Sequence, residues 1–372
     1  MCLDAWLTFL QATYPGAPGA LALFRSRGSA ADIVSLSRRD LLAAGLDAKS
    51  ADRLRSPDGA LLTAWQRWLE RPGRALITLD SPSYPPLLQA LPDPPLALWT
   101  AGARADLLRA PQLAMVGSRN PTHSGRDTAE AFARYLSDRG LTITSGLATG
   151  IDAACHRGGL AGVAGTVAVL GSGLDVIFPK TNLALARHII DDGLLISEYP
   201  PLTPARPAHF PQRNRIIAGL SVGTLVVEAA RRSGSLITAR LATEYGREVF
   251  AMPGSIHSPL ARGCHRLIKD GAKLVEDATD VLVELASLLQ IAIPDERSDE
   301  ISQTDASSLT EQAGYPQLLQ ALGFEPSSVG DISERTGLTT AELSSMLLLL
   351  ELEGLVEAQP GGLYSRLPKR TA

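Results

Sequence analysis

Arg213 and Arg215 stand one residue apart in the run Phe210-Pro211-Gln212-Arg213-Asn214-Arg215-Ile216-Ile217-Ala218-Gly219-Leu220-Ser221. An aromatic-proline turn precedes them and a helix-like apolar run follows. Two guanidiniums this close in a loop repel each other unless an anion sits between them, and arginine is well shaped to fork onto phosphate oxygens. Helix capping or pairing with carboxylates would also account for them. Three glycine-bearing turns elsewhere favour the anion. Leu113-Ala114-Met115-Val116 runs into Gly117-Ser118-Arg119-Asn120-Pro121-Thr122-His123-Ser124-Gly125, a strand handing over to a helix. N–H groups at such a helix start attract an anion, and Gly117 lets a ligand approach the backbone. The spacing is not G-x-G-x-x-G, so the dinucleotide fingerprint is absent. Ser145-Gly146-Leu147-Ala148-Thr149-Gly150-Ile151-Asp152 forms a second strand-to-helix turn, with Asp152 as a possible cap. Gly171-Ser172-Gly173-Leu174-Asp175 leads to Phe178-Pro179-Lys180-Thr181-Asn182, where Lys180 supplies charge for a phosphate and Phe178 a flat ring for a base.

Enzymatic constellations are weaker. Cys155 and His156 are adjacent, as are Cys264 and His265, and neighbouring helical residues do not face each other. Asp152 and His156 are spaced for one helix face, but a metal would need a third ligand and none is evident. No catalytic residue, metal or cofactor is expected.

The elements that must position these turns follow from the apolar pattern. Short apolar runs at 113–116, 141–144, 166–170, 194–196, 224–227 and 248–251 alternate with helical stretches at 126–139, 151–161, 183–192 and 236–245. This predicts right-handed βαβ units and a mostly parallel sheet, whose ligands bind beyond the carboxyl ends of the strands. Residues 1–72 read as short helices, with Gly45 between two of them. They suit a plain helical protein-contact domain or a helix-hairpin-helix module. Residues 73–292 form the α/β domain and 293–312 an acidic, flexible linker. Within 313–372, three helices (316–322, 329–336 and 340–353) and a hairpin (355–358 and 363–366) make a winged helix.

The 372 residues are 45% hydrophobic and 20% charged, ordinary for a soluble globular protein. The net charge of −4 is unevenly distributed. Residues 1–72 carry nine Lys/Arg against seven Asp/Glu, or +2, and residues 73–292 carry 21 against 19, again +2. Residues 293–372 carry five against 13, or −8, which argues against the tail as a nucleic-acid binder. Three scattered cysteines suggest neither a disulfide framework nor a zinc site, and fit a reducing cytoplasm. Asp4 and the lack of a basic n-region speak against a secretory signal, and no apolar run reaches the ~20 residues of a membrane span.

The ordered motifs, from Val116-Gly117-Ser118-Arg119 to Ser233-Gly234-Ser235-Leu236-Ile237-Thr238-Ala239 and Met252-Pro253-Gly254-Ser255, resemble the bacterial DNA-processing protein A family (DprA/Smf). The resemblance is specific across residues 80–285 and looser in the flanking modules, the N-terminal one being SAM-like or helix-hairpin-helix-like. Phe178 stands where the family often has tyrosine, and Cys155 precedes His156. The resemblance implies an extended Rossmann-like domain that binds single-stranded DNA as a homodimer, protects incoming transforming DNA and helps load the recombinase RecA. It also implies a pocket using Arg119 and Lys180, with the Ser145-Gly146 turn. Gly117, Ser118, Asn182 and Asn214 join these as expected DNA-binding residues, with Arg213 and Arg215 added on charge and position. Four phosphate contacts, by Arg119, Lys180, Arg213 and Arg215, would give a log–log salt slope of about −2.8. The competing reading is a Rossmann-like hydrolase cleaving the N-glycosidic bond of nucleoside monophosphates, with Glu228 after Gly223-Thr224, although its Pro-Gly-Gly phosphate turn is missing. A purely structural adaptor is the third.

Overall fold

The structure, a computed structural model, describes residues 2–289 apart from 15, and residues 318–367 apart from 320, 321 and 323–325. Residues 1–292 form one compact unit and residues 293–372 a second.

Six helices open the chain (Leu3–Thr13, Ala20–Arg27, Ala30–Ser35, Arg38–Ala43, Ala48–Arg55 and Gly59–Leu69; α1–α6). Ser29, Ser37, Asp47 and Asp58 cap α3 to α6 by accepting hydrogen bonds from first-turn N–H groups. Gly45 follows α4 with φ of +90°, the left-handed conformation expected of a helix stop. Trp65 and Trp68 of α6 pack edge-on against Trp99, with ring centroids 5.5 and 5.7 Å apart. The N-terminal helices therefore share a core with the sheet that follows.

That sheet is built from β1 (Arg74–Thr78), β2 (Ala97–Ala101), β3 (Gln112–Val116), β4 (Thr142–Ser145), β5 (Thr166–Val169), β6 (Leu194–Ser197), β7 (Gly223–Val226), β8 (Glu248–Ala251) and β9 (Lys273–Leu274). The helices are α7 (Pro86–Gln89), α8 (His123–Asp138), α9 (Ile151–Ala161), α10 (Leu183–Asp192), α11 (His209–Leu220), α12 (Ser235–Glu244), α13 (Arg262–Lys269) and α14 (Ala278–Leu289). The strand order is β1-β2-β6-β5-β4-β3-β7-β8-β9. β3 to β9 run parallel, while β1 and β2 add an antiparallel edge beside β6. The chain reverses its direction of growth between β3 and β7, creating the crevice at which open α/β sheets bind ligands.

The strands are buried on both faces, which is why they read as continuous apolar runs. Leu113 and Met115 of β3 join one apolar cluster with Ala129, Ala133 and Leu136 of α8, while Ala114 and Val116 join the other with Ile216 and Ile217 of α11. Thus α8 and α9 cover one face, and α11 and α12 the other. Helix α11 departs from the sequence reading, which places Arg213 and Arg215 in a loop after the Phe210-Pro211 turn. Pro211 lies in its first turn, where the missing N–H would have had no intrahelical partner.

In the second unit, strands β10 (Ser327–Ser328), β11 (Val356–Gln359) and β12 (Leu363–Arg366) form a sheet in the order β10-β12-β11. Capping boxes start the helices Val329–Thr336 and Thr340–Leu352. Leu318, Leu319 and Leu322 are helical, and Leu318 and Leu322 join Ile332, Leu343, Leu347, Leu350 and Val356 in one core. This is the expected winged helix. The expected linker at 293–312 lies outside the described residues.

Candidate functional site

Three strand ends meet at the carboxyl edge of the sheet. After β3, Ser118 Oγ accepts from the Asn120 N–H at 3.1 Å, and the Ser118 carbonyl accepts from the Ile151 N–H at 3.0 Å. Gly150 has φ of +80°, and a Cβ there would lie 2.4 Å from the Ser118 carbonyl oxygen. Gly117 is equally confined, since its Cβ would meet the Ile151 side chain at 2.7 Å. Both glycines serve close backbone packing between the β3 and β4 turns. Arg119 projects from this clasp into solvent, without an ion pair or side-chain hydrogen bond among the described residues.

The start of α8 is not an open anion site. Glu228, just past β7, accepts from the Thr122 N–H at 3.0 Å and the Thr122 hydroxyl at 2.6 Å. Thr122 Oγ1 in turn accepts from the Gly125 N–H at 2.9 Å. A carboxylate of the chain itself occupies the position expected for an anion. The same bonds point Glu228 at α8 and not outward, as a hydrolase's acid would require.

The β4 turn is also internally satisfied. Asp152 Oδ2 accepts from the Gly146 and Ala148 N–H groups at 3.1 and 3.3 Å, and His156 Nε2 accepts from the Leu147 N–H at 3.2 Å. The ring is therefore the Nδ1–H tautomer, donating to Thr166 Oγ1 at 2.7 Å, while that hydroxyl donates to the Ile143 carbonyl at 2.6 Å. Burial, reinforced by Arg213 and Arg157, depresses the His156 pKa to about 3, so the ring is neutral. Asp152 and His156 thus hold a backbone turn together. Among the described residues no cluster of three or more His, Cys, Asp or Glu side chains could hold a metal. Ser145 and Gly146 are buried, and Ser145 Oγ donates to the Met115 carbonyl at 2.6 Å. They form the floor beneath the surface.

After β5, a 3-10 turn (Lys180–Asn182) reaches over this floor. Asn182 Nδ2 donates to the Leu147 and Ala148 carbonyls at 3.0 and 3.1 Å, anchoring the turn. Lys180 is exposed and has no ion pair among the described residues. Phe178 is 51% exposed and leans on Phe210, ring centroids 5.5 Å apart.

Arg213 and Arg215 do not sit in a loop and are not free cations. Arg213 is only 4% exposed, and its Nη1 donates to the carbonyls of Gly146, at 2.5 Å, and Val169. A Cβ at Gly146 would collide with this guanidinium, 2.2 Å from Nη1. Burial pushes the Arg213 pKa down to about 10, Asp152 opposes the shift, and Arg119 adds like-charge repulsion. Arg213 therefore stays charged at neutral pH and lies close enough to Arg119 to feel it. Arg215 pairs with Glu198 and lies 3.6 Å from an Asp93 carboxylate oxygen. Asn214 Nδ2 donates to the Gly234 carbonyl at 3.4 Å. These partners, together with Thr122, were not read from the sequence.

The arrangement offers two solvent-facing cations and a half-exposed ring on a rigid floor at the carboxyl edge. The model of the DNA recombination-mediator protein A family matches residues 75–286, and that of the DprA winged helix domain matches residues 302–362. This chain belongs to the DNA recombination-mediator protein A family. It is 43% identical over 324 residues to Protein Smf of Escherichia coli (strain K12), covering 87% of this chain and 85% of that protein. It is 49% identical over 201 residues to the DNA processing protein DprA of Streptococcus pneumoniae (strain ATCC BAA-255 / R6), covering 54% and 71% of the two chains. The X-ray structure of the pneumococcal DprA superposes with a TM-score of 0.68 at 39% identity, over 76% of this chain and 97% of that one. DNA processing protein A of Helicobacter pylori, whose structure was described for its single-stranded DNA binding mode, matches with a TM-score of 0.51 at 29% identity, over 55% and 93%.

Proposed function

We propose that this member of the family binds single-stranded DNA at the carboxyl edge of its sheet. The observation that carries the reading is the pair of exposed cations, Arg119 and Lys180, which have no ion pair among the described residues and flank a floor whose Gly146, Leu147 and Ala148 N–H groups are already used. Lys180 takes one phosphate as a point charge and Arg119 can fork onto another. Phe178 offers a face on which any base stacks, so binding tolerates any sequence. Gly117, Ser118, Ser145, Gly146 and Asn182 act by shaping and anchoring the two cationic turns. No catalytic group is assigned, because Glu228, Asp152 and His156 are all engaged with backbone.

The wider role is protection of incoming DNA in the cytoplasm during transformation, and loading of RecA onto it, by a homodimer. The family's description as a DNA recombination-mediator protein and the names of the relatives support this. Light scattering of the protein alone and with RecA checks the assembly; a strict monomer that ignores RecA would contradict it. The direct test of DNA binding is fluorescence anisotropy with labelled oligo-dT, comparing wild type with Lys180→Glu. Salt-sensitive binding, lost in the variant and poorly competed by duplex, is expected.

A further inference from the structure

The ends of β7 and β8 lie beyond the pocket just described, on the far side of the switch point. They carry three more exposed arginines: Arg231 and Arg232 in the loop after β7, and Arg262 at the first position of α13. None has an ion pair or side-chain hydrogen bond among the described residues. On the neighbouring helices Arg240 pairs with Glu244 and Arg266 with Asp270.

Their backbone is held in place. The Ala229 N–H donates to the Leu260 carbonyl at 2.7 Å, and the Gly263 N–H donates to the Ala229 carbonyl at 2.7 Å. A Cβ on Gly263 would lie 2.5 Å from that same carbonyl oxygen, so the β7 loop and the start of α13 are in contact. Asn214 ties the far end of the loop to α11 through Gly234. The three arginines therefore stand on two joined turns, beside the half-buried Ala230 and Ser233 and the exposed Gly234.

Strand order places this group in line with the pocket. Lys180 follows β5, in the turn that Asn182 anchors on the β4 turn, Arg119 follows β3, Arg231 and Arg232 follow β7, and Arg262 follows β8. Adjacent strands are about 4.8 Å apart, so the four steps from β5 to β8 span roughly 19 Å, room for a few nucleotides. The carboxylate nearest the crossing, Glu228, is turned onto Thr122 and takes two of its hydrogen bonds, so it does not confront a passing backbone.

We propose that a single strand bound at Arg119 and Lys180 continues across the β3/β7 switch point onto a second cationic step made by Arg231, Arg232 and Arg262. The proposal rests on the single-strand reading above and adds the path and length of the site. The first step engages about two phosphates and the full path about five. The log–log salt slope should then steepen from roughly −1.4 on a short oligomer to roughly −3.5 on a long one.

The test is anisotropy with labelled dT6 and dT20 across a salt series, for wild type and for Arg231→Ala/Arg232→Ala/Arg262→Ala. All three side chains are exposed, so the variant keeps its core. Expected is a variant equal to wild type on dT6, with a dT20 slope shallower than wild type by about 2, which is three contacts at 0.7 each. A dT20 slope identical in variant and wild type, while both bind, would overturn the path and leave the pocket standing. Failure of wild type to bind either oligomer would remove the single-strand reading, and this inference with it.

Discussion

Arg119, Lys180 and Arg213 differ in what surrounds them, and that difference decides their roles. Arg119 and Lys180 are exposed and have no ion pair among the described residues, so an incoming phosphate finds them available. Arg213 is enclosed and spends one nitrogen, Nη1, on the carbonyls of Gly146 and Val169, while its buried Nε has no hydrogen-bond partner among the described residues and Asp152 supplies a balancing charge. Arg213→Met should leave those acceptors unsatisfied and Asp152 without its cation, costing about 2–4 kcal/mol in urea denaturation. Arg119→Ala, at an exposed position, should change stability by less than about 0.5 kcal/mol. Equal stability of both variants would contradict the division between a structural and a ligand-facing arginine. Both the charge and the location of the 210–221 segment were legible in the sequence, but the destination of its arginines was not. Arg215 meets Glu198 and Asp93, 17 and 122 residues away, and no local pattern predicts such partners.

The β4–α9 turn is where element geometry and titration meet. Asp152 and His156 lie four apart on α9, and this places their acceptors against three successive N–H groups of the preceding turn. The spacing that resembled half a metal site is explained by backbone support. Because the folded-state pKa of His156 is about 3 against 6.5 for a free side chain, the unfolded chain takes up a proton that the folded chain refuses. Stability from this group is fully present above pH ~6.5 and is lost as pH falls towards ~3. Urea denaturation at pH 7 and pH 5 should show a smaller acid-side loss in His156→Gln than in wild type. An identical loss in the two proteins would mean that His156 does not titrate in this way. At this scale the sequence was most informative for parallel strands and their helices, since β8, α9 and α10 coincide with the bounds read from apolar runs. It was least informative for α11, where Pro211 and the polar Gln212-Arg213-Asn214-Arg215 run looked like a loop, and for β1 and β2, which lie among Pro- and Gly-rich segments.

The whole molecule separates its charges. The basic surplus lies in residues 1–292, where the sheet edge presents its arginines and Lys180, while residues 293–372 hold five Lys/Arg against 13 Asp/Glu. Helix Thr340–Leu352 has no Lys or Arg, carries Glu342 and Glu351, and exposes Leu348, Leu349 and Leu352. Such a helix is poorly suited to a DNA groove and better suited to a protein contact. Removing 293–372 should leave single-strand affinity within a few-fold, and a large loss would contradict that assignment. Among the described residues no helix is long and apolar enough to cross a membrane. The measurement that bears most directly on the binding site is the salt dependence of anisotropy for labelled dT6, in wild type and Lys180→Glu. With Arg119 and Lys180 as the two phosphate contacts, the slope should be about −1.4, so raising salt from ~50 to ~200 mM weakens binding roughly sevenfold, and the variant should not bind. A slope near zero, or a Lys180→Glu variant that binds as wild type does, would contradict the assignment of this edge to single-stranded DNA.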